Sequence, residues 1–198
     1  NALGGEAISC LADISNPEAV SFLIDQTTDS FGGVDILVNN AAVRSNIPFL
    51  EIDQEEWSRI AGTCLQGTLN LTRGCIPLMI ERGGGAIVSL AGLSSYKGSV
   101  GRSHVMATKD GLMGLTRGIA IEFGEKNIRA NAAVVGRFDT VRSGNSLQTG
   151  FTTEPDIPLG RMGVPQDMAD VIRFLVGPGS AYITGQTIHI NGGAYCPH

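Results

Sequence analysis

Short apolar runs alternate with longer amphipathic segments along the chain. The runs at residues 7–11, 34–38, 86–90, 129–135 and 186–190 predict five strands. The segments between them predict helices that begin at Asn16-Pro17-Glu18, run over about 54–82 and 104–124, and extend from Pro165 to about residue 176. This alternation predicts an α/β fold with a doubly wound parallel sheet.

Proline and glycine mark the ends of these elements. Pro77 predicts a kink or a break in the long helix at 54–82. Gly83, Gly84 and Gly85 lie between that helix and the next strand, so we expect them to end the helix rather than to bind phosphate. An irregular stretch is expected over 137–161, and a loop is expected after the strand at 86–90 as far as about Arg102.

Composition narrows the possible partners. The 198 residues carry a net charge of −5 with 14 Lys and Arg, and no basic stripe forms that could follow nucleic acid or an anionic membrane. The length predicts a single domain over 1–198. No apolar run is long enough to span a bilayer, so we expect a soluble cytoplasmic protein with a small-molecule substrate. The four cysteines are scattered without ligand spacing, which predicts neither disulfides nor a metal site.

The order of several motifs resembles the short-chain dehydrogenase/reductase family over nearly the whole chain. The motifs are Asp35-Ile36-Leu37-Val38-Asn39-Asn40-Ala41-Ala42, Lys109-Asp110-Gly111-Leu112, Arg129-Ala130-Asn131, Pro158 to Gly163 and Tyr182 to Gly193. The resemblance implies a Rossmann-like sheet, with Asp13 near an adenine and with Asn40, Ala41 and Lys109 as vestigial cofactor contacts. It also implies a homodimer or homotetramer whose interfaces use the helices at 54–82 and 104–124, and the last helix and strand.

The sequence departs from the family at the positions that bind the cofactor and catalyse hydride transfer. No G-x-G-x-x-G turn occurs, and the chain resembles a member without its first β-α-β unit, with about five strands remaining. Aligned on Lys109, the family's catalytic tyrosine, serine and asparagine positions are Val105, Gly92 and Cys64. Valine cannot exchange a proton with a substrate oxygen.

These departures predict a truncated relative that has lost NAD(P)-dependent hydride transfer and needs no cofactor. The favoured function is a cofactor-independent cyclase, isomerase or dehydratase that positions a small organic substrate. One alternative is a non-catalytic subunit or scaffold. The other is an NAD- or NADP-dependent oxidoreductase whose N-terminal cofactor-binding segment is absent from this chain.

Candidate catalytic groups have structural alternatives. Lys109, Arg137 and His104 are the proposed catalytic residues, yet Lys109 could only pack its stem, and His104 need not face the pocket because adjacent helical residues point about 100° apart. Arg137 and Arg102 could bind an anion or be surface cations on loops. Cys64 could be a nucleophile or a buried inert thiol.

Three polar side chains follow the strand at 86–90. Ser94, Ser95 and Tyr96 could supply hydroxyl groups to a substrate or be turn residues. Trp57 is interpreted as packing. If the 198 residues form the whole domain, the strand at 7–11 is expected to pair beside 34–38 and to cover that edge.

Overall fold

A four-stranded parallel sheet organises the chain. The structure, a computed structural model, describes residues 4–140 and 157–196. Within them the strand order is β1 (Ile36–Asn39), β2 (Gly85–Gly92), β3 (Ile128–Val135) and β4 (Thr187–Ile190). The helices are α1 (Pro17–Phe31), α2 (Gln54–Ala61), α3 (Gly67–Glu81), α4 (Ser94–Lys97), α5 (Ser103–Glu122) and α6 (Pro165–Val176). The predicted parallel α/β fold is confirmed, while residues 141–156 of the predicted irregular stretch lie outside the described residues.

Local chemistry explains where the first helix starts and stops. The side chain of Asn16 accepts a hydrogen bond from the backbone N–H of Ala19 at 3.0 Å, and Pro17 occupies the first turn. Gly32 ends the helix with a φ of 77°, a conformation that glycine adopts without strain.

The sheet is buried on both faces, which is typical of parallel strands. Ile87 on β2 packs with Met79 of α3 and Ile119 of α5 on one face. Its neighbour Val88 packs with Leu175 of α6 on the other face. Because side chains alternate along a strand, this places α3 and α5 on one side of the sheet and α6 on the other.

The first predicted strand does not form. Residues 7–11 have no strand pairing among the described residues, and Leu11 is fully exposed. The expected pairing of 7–11 beside 34–38 is therefore wrong, and the described sheet has four strands instead of five. Three residues beyond this segment, the carbonyl of Ile14 accepts a hydrogen bond from Nδ2 of Asn70 on α3 at 3.0 Å, which attaches the chain to that helix.

The long helix is interrupted, though not where the sequence suggested. A π-helical turn over Gly62–Gln66 separates α2 from α3, and α3 continues through Pro77 to Glu81. The predicted loop before Arg102 also contains the short helix α4. Gly83 and Gly84 follow α3 with φ values of 84° and 144°, and their N–H groups bond to carbonyls of that helix, so they end it as predicted.

Candidate functional site

The carboxyl ends of β1, β2 and β3 define the candidate crevice. In parallel strands the carboxyl ends meet at one edge of the sheet, and ligands of doubly wound folds bind there. Asn39 ends β1, Gly92 ends β2, and Arg137 follows β3 by two residues. Asn39 is buried, and its Oδ1 has no hydrogen-bond partner among the described residues.

Lys109 of α5 reaches this crevice. Its Nζ donates to the carbonyl of Leu90 on β2 at 2.7 Å. Burial lowers the pKa of Lys109, and the positive charge of Arg44 lowers it further, whereas Cys64 acts in the opposite direction. The structure therefore brings Lys109 and Cys64 together, two of the positions singled out in the sequence.

Cys64 lies at the centre of the π-helical turn. Its side chain is fully buried, and its thiol donates to the carbonyl of Val43 at 3.6 Å. A π-helical turn is rare and is found frequently at functional sites. The local backbone thus keeps a specialised geometry at the position where the family carries an asparagine.

The other two substituted positions change the lining of the crevice. Val105 is 7% exposed and lies one helical turn before Lys109 on the same face of α5, so it presents an apolar wall. Gly92 contributes no side chain, although a Cβ atom there would fit in ordinary van der Waals contact with Ser94 Oγ at 3.7 Å. Neither position can supply a proton.

His104 turns away from Lys109 towards α2. Its Nε2 lies 2.5 Å from Ser45 Oγ and 3.3 Å from Glu56 Oε1, and the ring is 1% exposed. Glu56 is held by two hydrogen bonds from Arg59, at 2.8 and 2.9 Å, and this interaction lowers the pKa of Glu56 to about 2.

The ionised Glu56 carboxylate fixes the direction of these bonds because it can only accept. The arrangement that satisfies it has Nε2–H of His104 donating to Ser45 and the Ser45 hydroxyl donating to Glu56. Nε2 is then committed to this network. Nδ1 is buried without a partner among the described residues.

The remaining sequence candidates are dispersed. The carbonyl of Arg137 accepts from the N–H of Gly163 at 2.9 Å, and its side chain, like that of Arg102, makes contacts within the protein. Asp13 is exposed and accepts from the hydroxyl of Ser15 at 2.7 Å, which lowers the pKa of Asp13. Asn40 and Ala41 lie exposed in the turn after β1.

An aromatic cluster escaped the sequence reasoning. Tyr96 of α4 meets His189 of β4 edge to face at a ring distance of 4.5 Å, and Tyr195 lies 5.3 Å from both rings. Burial raises the pKa of Tyr96 and lowers that of His189. The sequence predicts Tyr96 as a hydroxyl group for a substrate or as a turn residue, since nothing local to it predicts contacts with residues about a hundred positions away.

Comparisons with known proteins decide the family. A family model described as enoyl-(acyl carrier protein) reductase matches residues 1–195. A 3-oxoacyl-[acyl-carrier-protein] reductase of Vibrio cholerae is 33% identical over 195 residues, which cover 98% of this chain and 80% of that protein. An uncharacterized short-chain type dehydrogenase/reductase of Sinorhizobium fredii is 34% identical over 193 residues, covering 96% of this chain and 76% of the relative.

The solved structures agree. A putative short-chain alcohol dehydrogenase from Sinorhizobium meliloti superposes with a TM-score of 0.88 at 34% identity, covering 96% of this chain and 77% of that chain. The chain belongs to the short-chain dehydrogenase/reductase family. It spans about four-fifths of the length of the reductases it matches.

Membership in this family corrects the predicted function. The expectation of a truncated, cofactor-independent cyclase, isomerase or dehydratase is wrong, because relatives named as reductases match the chain almost from end to end. The expectation that no cofactor is needed falls with it, since a reduction requires a hydride donor. The substitutions at Val105, Gly92 and Cys64 therefore do not by themselves indicate cofactor-free chemistry.

Among residues 4–140 and 157–196, no group of three or more His, Cys, Asp and Glu side chains is placed to hold a metal ion. No helix in the same ranges is both long enough and apolar enough to cross a membrane.

Proposed function

We propose that this short-chain dehydrogenase/reductase is an NAD(P)-dependent oxidoreductase that reduces the keto group of a 3-oxoacyl thioester. The observation that carries the proposal is Lys109, whose amine is held at the carboxyl end of β2 by Leu90. The names of the similar reductases support the substrate class.

The residues of the crevice fit the nicotinamide ribose. A ribose diol needs a donor and an acceptor; Lys109 supplies N–H groups, and Asn39 Oδ1 is a buried acceptor without a donor among the described residues. The glycine-rich turn that holds a pyrophosphate does not occur in the sequence, so the fit extends only to this half of the nucleotide. The nucleotide supplies the hydride, while the chain binds and orients the ribose.

Val105 predicts slow proton delivery to the reduced oxygen. A positioned general acid contributes roughly 10²- to 10⁴-fold to a rate, and valine contributes none of it. We therefore expect weak but measurable turnover in the native chain.

The test restores the hydroxyl group. Val105→Tyr is expected to raise NADPH consumption with an acetoacetyl thioester by about 10²-fold, and Val105→Phe, which adds the same ring without the hydroxyl, is expected not to. Lys109→Ala is expected to weaken NADPH binding measured by nucleotide fluorescence. If neither NADPH nor NADH binds, and the combined Val105→Tyr, Gly92→Ser, Cys64→Asn variant stays inactive, the proposed function is wrong.

We also propose that two copies of the chain associate through a groove between α3 and α5. The groove has a volume of about 610 Å³ and is mostly apolar. Its lining includes Leu69, Ile76, Pro77, Ile80, Leu115 and Phe123. A second copy that presents the same face would bury this surface, which is the usual arrangement in a twofold dimer.

Sedimentation velocity tests this association. Ile80→Glu and Leu115→Glu are expected to convert a dimer to a monomer, whereas Ile121→Glu, which is 86% exposed and outside the groove, is expected to leave it unchanged. A native chain that is monomeric at micromolar concentration would contradict the proposed dimer.

A further inference from the structure

Lys109 differs from the other two lysines of the sequence. Lys97 and Lys126 are exposed, whereas Lys109 is half-buried and its amine is bonded to the carbonyl of Leu90. Among the described residues no carboxylate lies within salt-bridge distance of the Lys109 amine. The protein therefore places an amine in a partly dry environment without a compensating negative charge.

The surroundings of the amine disfavour its charged form. Val105 presents an apolar side chain one turn earlier on α5, and the thiol of Cys64 is committed to the carbonyl of Val43. Burial lowers the pKa of Lys109, Cys64 opposes this lowering, and the guanidinium of Arg44 adds to it, so that the net shift is downward. A lysine in an apolar pocket or beside another cation is the usual form of an amine that attacks carbonyl carbon.

Gly92 lies two residues after Leu90 on β2, so the two residues face the same side of the sheet. Gly92 contributes no side chain, and a Cβ atom built there would have nothing closer than Ser94 Oγ at 3.7 Å. A carbonyl group can approach this side of the crevice without displacing a side chain at position 92.

We propose that Lys109 is a nucleophilic amine that captures small aldehydes and ketones as imines. The nitrogen lone pair attacks the carbonyl carbon, a C–N bond forms, and the carbinolamine loses water to give the imine. No oxidant or reductant takes part. This inference goes beyond the proposed reductase function and stands without it, because imine formation is measured in the absence of nucleotide.

Reductive trapping provides the test. The purified chain is incubated at pH 7 with propanal and sodium cyanoborohydride, and the labelled peptides are quantified by mass spectrometry over time. A lowered pKa raises the fraction of neutral amine near pH 7, so we expect Lys109 to label faster than Lys97 and Lys126. The difference should shrink as the pH approaches 10, where exposed lysines also lose their protons.

Lys97 and Lys126 serve as internal controls in the native chain, so the test does not depend on a folded variant. In concentrated urea the three lysines are expected to label at similar rates, because burial is lost. Arg44→Gln is expected to slow labelling of Lys109 alone, and Lys109→Arg is expected to abolish the fast-labelled peptide. If Lys109 labels no faster than the two exposed lysines at pH 7 in the native chain, the proposal is overturned.

Discussion

The hydroxyl of Ser45 lies 2.5 Å from Nε2 of His104 and joins two segments that are 59 residues apart in the chain. Ser45 lies in the segment after β1, and His104 lies in the first turn of α5. Glu56 completes the contact from α2. Contacts with α5 and α2 thus hold the segment that follows β1 in place.

Ser45→Ala is expected to lower the free energy of unfolding by about 1–3 kcal/mol, because it leaves His104 Nε2 without its closest partner in a buried position. Urea unfolding measures this change. Ser58→Ala is the matched control, since its hydroxyl is exposed and only accepts a bond from Gln54; its effect should stay within about 0.5 kcal/mol. Equal losses in the two variants would contradict the buried network.

Glu56 is expected to make the protein sensitive to acid. Its pKa in the folded protein is about 2, below the ordinary value of 4.5, so its contribution to stability is present above pH 4.5 and is lost as the pH falls towards 2. Urea unfolding between pH 6 and pH 2.5 should show a shallower loss in Glu56→Gln than in the native chain. Glu55→Gln, one residue away and exposed, should follow the native profile.

Arg129 is expected to be a structural residue of high importance. Its guanidinium donates to the carbonyl of Leu175 at 2.8 Å, the hydroxyl of Ser180 at 3.0 Å and the carbonyl of Gly177 at 3.2 Å. It thereby satisfies carbonyls at the end of α6, where positive charge is favourable. Arg129→Ala should lower the free energy of unfolding, measured by thermal melting, by about 2–3 kcal/mol, and Arg129→Lys should lower it by less.

The exposed Arg173 is the control for Arg129. Arg173→Ala, on the surface of α6, should change stability by less than about 0.5 kcal/mol. A comparable loss in both variants would show that charge alone, rather than the forked contact, accounts for the effect.

Two glycines in helices are expected to respond oppositely to alanine. A Cβ atom on Gly67 would lie 2.5 Å from Ile14 Cγ1 and 3.3 Å from its carbonyl carbon, so Gly67→Ala should destabilise the fold by about 1–3 kcal/mol. A Cβ atom on Gly114 would have Arg117 Nη2 as its nearest contact outside the local helix backbone, at 4.0 Å. Gly114→Ala should therefore stabilise the fold by about 0.5–1 kcal/mol. Thermal melting distinguishes the two, and a stabilised Gly67→Ala would contradict the packing of Ile14.

The sequence predicts the regular parts of the fold well because their signals are local. The apolar run before Gly92 and the Asn16-Pro17 start of α1 each carry enough information in a few residues. The run at 7–11 shows the limit of such a signal, because a strand forms only when a neighbouring strand receives its hydrogen bonds. The π-helical turn at Cys64 has no local signature and appears only in the three-dimensional structure.

Two of the candidate site residues are neighbours in the structure. Lys109 and Cys64 interact electrostatically, and the resemblance to the family, rather than any local spacing, had implied one site for both positions. The commitment of His104 to Ser45 and Glu56 depends on contacts between distant segments, which a single sequence does not indicate. The relatives named as reductases, rather than the three substituted residues, overturn the cofactor-free prediction.

The π-helical turn at Gly62–Gln66 contains one residue more than a regular helical turn. One added residue rotates everything that follows by about 100° and advances it by about 1.5 Å. Loss of a single residue from this turn would swing Ile76 and Ile80 away from α5 and remove the groove between the helices. The π-helical turn therefore determines both the position of Cys64 at the crevice and the direction in which the groove residues of α3 point. A deletion in this turn would disturb the crevice and the groove together.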